Sequence, residues 1–326
     1  MKSGLIGSLL GLSAAMLLSG SALAQNYPDH AVTIVVPFAA GGPTDTVTRL
    51  VAEVMSRELG QQVVVQNVGG AGGTLGAGQV AAAEADGYTL LLHHIGMSTA
   101  PTLYRNLDYN PLTDFSPIGL VTAVPMTLVA RKDFEPETFA DLVEYVKANG
   151  ENITYAHAGI GSASQLCGML FMDAVQAQMT TVPYQGSGPA MTDIIGGQVD
   201  LLCDQTTNTT TQIQAGEVKA YAVTTPERVA PLPDLPTTAE EGLESLQVSV
   251  WHGLYGPDGL SEEVVTRLEA ALQAALADET VIARFAELGT TPVPADQATP
   301  AALTEQLSSQ IEIWKPIIEA AGVYAE

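Results

Sequence analysis

Two stretches of this chain repeat one rhythm, and that rhythm restricts the fold more than any other feature. A β-branched run, a glycine-bearing turn and a helix-period window follow one another. Val32–Val36, Thr44–Leu59, Gln62–Gln66, Ala77–Ala85 and Tyr88–Leu92 read as strand, helix, strand, helix, strand. The order returns with strand Ile153–His157, helix Ser162–Ala174, strand Thr181–Tyr184, helix Pro189–Ile195 and strand Val199–Cys203. Successive parallel strands need a crossover, and a helix is the usual one. The spacing predicts an α/β protein of two lobes, each a doubly wound, mainly parallel sheet flanked by helices. Ile118–Arg131 and Val218–Thr225 read as extended segments on either side of the second unit. The second lobe (125–225) is then inserted into the first (25–124 and 226–326), with a ligand cleft between them. The proline-rich stretch Pro226–Pro236 is read as the return to lobe 1. Two further helices follow, Ser261–Ala277 with Ser261 as N-cap and a C-terminal helix opening at Thr299-Pro300.

Residues 1–24 stand outside this pattern. Lys2, the apolar run Leu5–Leu18 and Ala22-Leu23-Ala24 read as a secretory signal cleaved after Ala24, which makes the mature protein an exported one. No later window is long and apolar enough to span a bilayer. Twelve Lys+Arg against 36 Asp+Glu give a net charge of −24. Such a charge repels phosphate backbones and anionic headgroups, so neither nucleic acid nor direct membrane insertion is expected.

Chemistry is expected where strands turn into helices. In Pro37-Phe38-Ala39-Ala40-Gly41-Gly42-Pro43-Thr44-Asp45, the glycines allow close backbone approach and Pro43 suits the first helical position. The unpaired N–H groups of that helix start form an anion site, to which Thr44 adds a hydroxyl donor. Ala158-Gly159-Ile160-Gly161-Ser162-Ala163-Ser164-Gln165 repeats the arrangement in the other lobe. Facing each other, the two loops would clamp a carboxylate with neutral donors. Phe38 supplies an apolar wall, and Ala40, Gly41, Ala158, Gly159, Gly161, Ser162, Ser164 and Gln165 the polar and backbone contacts. Ser162→Ala and Thr44→Ala would each weaken binding with little change in stability. Asp45 either complements its helix dipole or meets the ligand. Asp204, ending a strand, either caps the next helix or receives a ligand hydroxyl or amine.

Other chemistries are less well supported. Gly76-Ala77-Gly78-Gln79-Val80-Ala81 satisfies a dinucleotide fingerprint, but Leu92–Pro101 lacks the acidic residue it requires, and turn chemistry explains the glycines. No G-x-S-x-G occurs, and Ser187 lacks the elbow pattern. The five histidines show no metal-ligand spacing. His93 and His94, being adjacent, should point to opposite strand faces. His94 and His157 end strands near the cleft and are ligand candidates. Cys167 and Cys203 form either a disulfide or two buried thiols. Neither a cofactor nor a metal is expected.

Several ordered motifs carry a family resemblance. They are the loop Pro37–Asp45, Asn67-Val68-Gly69-Gly70-Ala71-Gly72-Gly73, Asp86-Gly87-Tyr88-Thr89-Leu90 and Asp114-Phe115-Ser116-Pro117-Ile118. Val182-Pro183-Tyr184-Gln185-Gly186, Gly196-Gly197-Gln198-Val199-Asp200 and Ala222-Val223-Thr224-Thr225 continue the series. Over Tyr27–Glu326 the chain resembles the substrate-binding proteins of tripartite tricarboxylate transporters, the Bug family. The resemblance implies a periplasmic "Venus flytrap" closing on an organic carboxylate held at Phe38–Asp45 and Ala158–Gln165. It also implies delivery to a permease of one large and one small membrane subunit. Gln185 and Gln165 stand where the family often has Lys and His, and His157 where a smaller residue is common. The reading is a binding protein for a di- or tricarboxylate or aromatic acid, monomeric and not an enzyme. An exported hydrolase or isomerase using a cleft carboxylate, or a binder serving signalling, are the alternatives.

Overall fold

A computed structural model describes residues 27–325; the expected signal peptide lies outside the described residues. The strands are β1 (Val32–Val36), β2 (Val63–Asn67), β3 (Thr89–His94), β4 (Phe115–Arg131), β5 (Thr154–His157), β6 (Thr180–Pro183), β7 (Leu201–Gln205), β8 (Val218–Val223) and β9 (Ser249–Pro257). The helices are α1 (Pro43–Leu59), α2 (Thr74–Ala81), α3 (Gly96–Leu103), α4 (Phe139–Asn149), α5 (Ala163–Val175), α6 (Ser187–Ile195), α7 (Thr206–Gln214), α8 (Glu262–Ala277), α9 (Glu279–Glu287) and α10 (Pro300–Ala321).

The strands run in the order β2-β1-β3-β9-β4-β7-β5-β6, with β8 also on β4. Each lobe has a parallel core, β2-β1-β3 in one and β6-β5-β7 in the other. These cores meet the antiparallel strands β9, β4 and β8. The long β4 belongs to both lobes. Phe115–Pro125 pairs with β9, whereas Met126–Ala130 pairs with β7, so the chain changes lobe at the Pro125–Met126 step. Thr224 bridges the same point: its N–H donates to the Met126 carbonyl (2.8 Å) and its hydroxyl to that of Val248 (2.6 Å).

Two features differ from the sequence reading. The proline-rich stretch stays with β8, where Val229, Leu232 and Leu235 pack with Val223 into an apolar cluster; the chain rejoins the first sheet at Ser249. Strand β9 has no counterpart in the reading. Gly253, Gly256 and His252 weaken its strand pattern, yet it is buried throughout except at Ser249. Crowding favours glycine there, because a Cβ at Gly253 would lie 2.5 Å from Leu303 Cδ1 and one at Gly256 2.4 Å from Leu260 Cδ1, and either leucine would have to shift.

Each lobe closes a core on its sheet. The apolar face of α1 (Val47, Val51, Met55) packs with Val32, Ile34, Leu90 and the α8 residues Leu268 and Leu272. On the inserted lobe, Met191 and Ile194 of α6 pack with Val129, Ala156 and Leu202. Burying one such side chain is worth about 1.5–3 kcal/mol, so the strand ends are held on rigid supports. Cys167 and Cys203 form a disulfide, joining α5 to β7 with a Cα–Cα distance of 6.1 Å. That resolves the alternative left open above.

Candidate functional site

The C-terminal ends of β1, β5 and β6 lead through short loops, and that of β7 directly, into helix starts, and all four starts converge on one narrow cavity between the lobes. It is lined by Phe38, Pro43, Thr44 and His94 from one side. Ala158, Ser162, Ala163, Ser164, Ser187, Asp204 and Gln205 line it from the other. Water centres have about 10 Å³ there, room for about one water molecule. The lobes are closed.

The helix starts explain what this space attracts. Of the six helices that begin away from the cavity, four are capped by a side chain and two, α2 and α3, are not. Thr138 caps α4, Ser261 α8, Asp278 α9 and Thr299 α10. At the cavity, α1, α6 and α7 have no side-chain cap; only α5 has one, Ser162, whose hydroxyl accepts from Gln165 N–H. An uncapped start leaves N–H donors unpaired at the positive end of the helix dipole. No Lys or Arg is among the lining residues, so positive potential here comes from the backbone.

Of the residues singled out from sequence, Phe38, Thr44, His94, Ala158, Ser162, Ser164 and Asp204 line the cavity. The others do structural work around it. Asp45 lines no part of it. Its carboxylate accepts from Gly41 N–H (2.9 Å), Arg49 Nε (3.0 Å) and Asn67 Nδ2 (3.0 Å), fixing the loop to its helix. Burial opposes its ionisation, but these bonds outweigh burial and hold its carboxyl below the usual range. Gln165 folds back so that its Oε1 accepts from Gly161 N–H (3.2 Å). Ala40 presents its carbonyl to Gly188 across the cleft. Gly159 lines an open groove at the cleft mouth with Gly72, Tyr104 and Tyr184. His157 is buried, its Nδ1 accepting from Gly159 N–H (3.1 Å).

The serines and Thr44 play different parts from those expected. Ser162 donates to the Gly159 carbonyl (2.7 Å), and Ser164 accepts from Ala158 N–H (2.9 Å), so both hydroxyls brace the loop. Ser162→Ala therefore costs stability too, about 1 kcal/mol for a lost N-cap. Thr44 Oγ1 lies 3.3 Å from His252 Nε2, while His252 Nδ1 lies 3.2 Å from the Val250 carbonyl. The carbonyl accepts from Nδ1–H, which leaves Nε2 as acceptor, and Thr44 spends its proton on His252. Toward the cavity Thr44 offers a lone pair, not a donor.

The expectation that His93 and His94 point apart does not hold. Their ring centroids are 4.8 Å apart, and both rings pack on Phe38, at 5.6 and 4.7 Å. Alternation applies within a strand, and His94 is the last residue of β3. Its Nδ1 accepts from Gly96 N–H (3.0 Å), which turns the ring and leaves Nε2–H as a donor. Burial holds His94 neutral, with its pKa well below the ordinary histidine value. Burial also pushes His93 and His252 down to about 3. The unfolded chain binds protons on these rings below about pH 6.5, and the folded chain does not. Stability is accordingly expected to fall on acidification below about 6.5. Asp204, raised to about 6 by burial, acts in the opposite sense as a single group. Thermal unfolding between pH 7 and 4.5 checks this; a constant or rising Tm on acidification would contradict it.

Pro43 and Ala163 line the cavity from within the two loops singled out from sequence and Gln205 from beside Asp204; Ser187 is the lining residue that sequence reasoning missed. Ser187 was weighed only as a nucleophile. The signal for Ser187 and Gln205 was the one used for the other loops, a helix start following a parallel strand.

The model of the tripartite tricarboxylate transporter family receptor matches residues 47–323. A UPF0065 protein from the TAR-I ttuE-ttuC' intergenic region of Agrobacterium vitis is 56% identical over 312 residues, covering 95% of this chain and 90% of that one. The structure of the periplasmic binding protein BugD superposes with a TM-score of 0.90 at 51% identity, covering 92% of this chain and 100% of that one. MatC (Rpa3494) from Rhodopseudomonas palustris with bound malate superposes at 0.87 and 40% identity, covering 90% and 100%. The family is one of transporter receptors and not enzymes, BugD being a periplasmic binding protein, and the agreement of sequence and fold is explained by common descent: the chain belongs to the tripartite tricarboxylate transporter receptor family.

Proposed function

We propose that this protein captures a small organic carboxylate between its lobes in the periplasm and delivers it to a two-subunit membrane permease. The observation that carries the reading is the convergence of four helix starts, three without side-chain caps, on a cavity lined by no Lys or Arg. Helix starts without side-chain caps in a low-dielectric space favour an anion, and charge-assisted hydrogen bonds supply about 1.5–3 kcal/mol each. Four of them could offset the cost of association and reach micromolar affinity, about −8 kcal/mol. The malate bound by MatC is an anion of this class.

The space is too small for a di- or tricarboxylate as it stands, so capture requires the lobes to part and close again. Hinging at Pro125–Met126 and Thr224–Val248, where the chain passes between the sheets, supplies that motion; the bonds of Thr206 to Gly289 and Thr210 to Leu288 lie beside it. The ligand favours the closed state by the contacts it makes only there. Of the residues named from sequence, Phe38, Thr44, His94, Ala158, Ser162, Ser164 and Asp204 are the contacts we assign, joined by Ser187 and Gln205.

A thermal-shift panel of organic acids on the mature protein, followed by calorimetry, tests the reading. An acid at 100 times its Kd should add about 2.7 kcal/mol of stability and be recovered unchanged. Shifts confined to neutral or cationic compounds would sink it.

A further inference from the structure

We propose that the captured acid carries a hydrogen-bond donor, a hydroxyl or an ammonium group, within a bond or two of its carboxylate, and that Asp204 is the residue that selects for it. This rests on the carboxylate reading above and narrows it.

The cavity offers two opposite kinds of unmet demand. The helix starts present donors, which a carboxylate satisfies. Asp204 presents the reverse. It is 1% exposed, ends β7, and lines the cavity. Its Oδ2 accepts from Asn208 Nδ2 (2.6 Å); the Ser187 hydroxyl and the Gln205 N–H lie near enough to favour its charged form, but neither meets Oδ1 with hydrogen-bond geometry, and Oδ1 has no partner among the described residues. Gln205, beside it on the cavity wall and equally buried, has an unpartnered Oε1. Thr44 faces the same space with its proton already given to His252. Buried acceptors left unpaired are costly, and an ionised carboxylate is acceptor-only.

A plain carboxylic acid dianion answers only the helix starts. It would bring further acceptor oxygens against Asp204 and leave Oδ1 unpaired. A hydroxyl or ammonium group next to the carboxylate answers both demands in one small molecule. The cavity is so narrow that donors and acceptors face nearly the same point, which requires the two ligand groups to be close together. Sites built to hydrogen-bond a substrate O–H or N–H reject the analogue lacking it far more strongly than apolar pockets discriminate by size.

The test is calorimetry on the mature protein with three matched series: succinate, malate and aspartate; glutarate, 2-hydroxyglutarate and glutamate; propionate, lactate and alanine. In at least one series a substituted acid is expected to bind about tenfold or more tighter than its parent. In Asp204→Ala that ratio should fall below about threefold, since the acceptor is gone. Asp204→Asn separates the two donors: it keeps an acceptor oxygen without the charge, so preference for a hydroxyl survives and preference for an ammonium is lost. Parents binding as tightly as their derivatives to the unmodified protein would overturn the proposal while leaving the carboxylate reading intact, whether or not either variant folds. No binding by any acid in these series or in the wider panel would overturn both.

Discussion

Gly72→Ala is expected to weaken ligand capture more than tenfold while costing little more stability than a neutral glycine replacement. Gly72 lies in the turn before α2 with φ +62°, and a Cβ there would sit 1.8 Å from the Ile160 carbonyl oxygen of the other lobe. That oxygen is backbone, and it also accepts from Tyr104 Oη (2.8 Å), so no side chain can move aside. A Cβ added at Gly159 or Gly186 would also meet backbone of the opposite lobe, 2.8 Å from Gly72 N and Ala39 N respectively. The lobes close backbone to backbone, sealed by Ala39 N–H donating to the Gln185 carbonyl (2.9 Å). An added methyl forces them apart in the closed state alone. Every 1.4 kcal/mol lost there lowers affinity tenfold. Gly216→Ala is the control, because Gly216 has φ +65° with nothing within 4 Å of an added Cβ. Both variants carry the left-handed backbone penalty, about 1 kcal/mol, in open and closed states. Calorimetry with the tightest acid of the panel should separate them; equal affinities would mean that the glycine seam does not govern closure.

Removing the disulfide should produce the largest loss of stability. Cys167 and Cys203 are 36 residues apart in sequence. Cross-linking a loop of that length removes unfolded-state entropy worth about 3–4 kcal/mol. In Cys167→Ala/Cys203→Ala, Tm should fall by roughly 6–15 °C. The loss should extend to affinity. The bond ties α5, whose start is braced by Ser162, to β7, which ends in Asp204 and Gln205, so both sides of the inserted lobe's contribution are held by it. Thermal unfolding and calorimetry on the double variant measure both effects. A Tm within a degree of the unmodified protein would show that packing of the buried α5–β7 interface alone holds these elements together.

Much of the architecture was legible because it is written in short-range patterns. The run Val32–Val36 is strand β1 without adjustment, and Ser261 and Thr299 cap the helices they were expected to open. Period-2 and period-3.6 alternation and capping chemistry act over a few residues and survive any tertiary arrangement. Strand β9 was illegible for a related reason. Its three interruptions, His252, Gly253 and Gly256, answer to Leu303, Leu260 and neighbouring strands rather than to local propensity. A strand buried on both faces between β3 and β4 needs room more than it needs β-branched side chains.

The site divides in the same way. That Phe38–Thr44 and Ala158–Ser164 flank helix starts after parallel strands is a local statement, and the chain states it. Whether a particular side chain reaches the cavity is not local. Asp45 and Thr44 are neighbours at one helix start, yet Arg49 and Asn67 consume the first and His252, 208 residues away, orients the second. His93 and His94 converge on Phe38 because β3 ends between them and α3. The strand–turn–helix units and their anion-seeking starts are set by local order in the chain, since they follow from backbone geometry and nearest neighbours. That the starts of α6 and α7 join those of α1 and α5, and that Asp204 is left with an unpaired oxygen, depends on the folded arrangement. Strand order and hydrogen-bond partnership are set by contacts between residues far apart in the chain, and no local pattern encodes them.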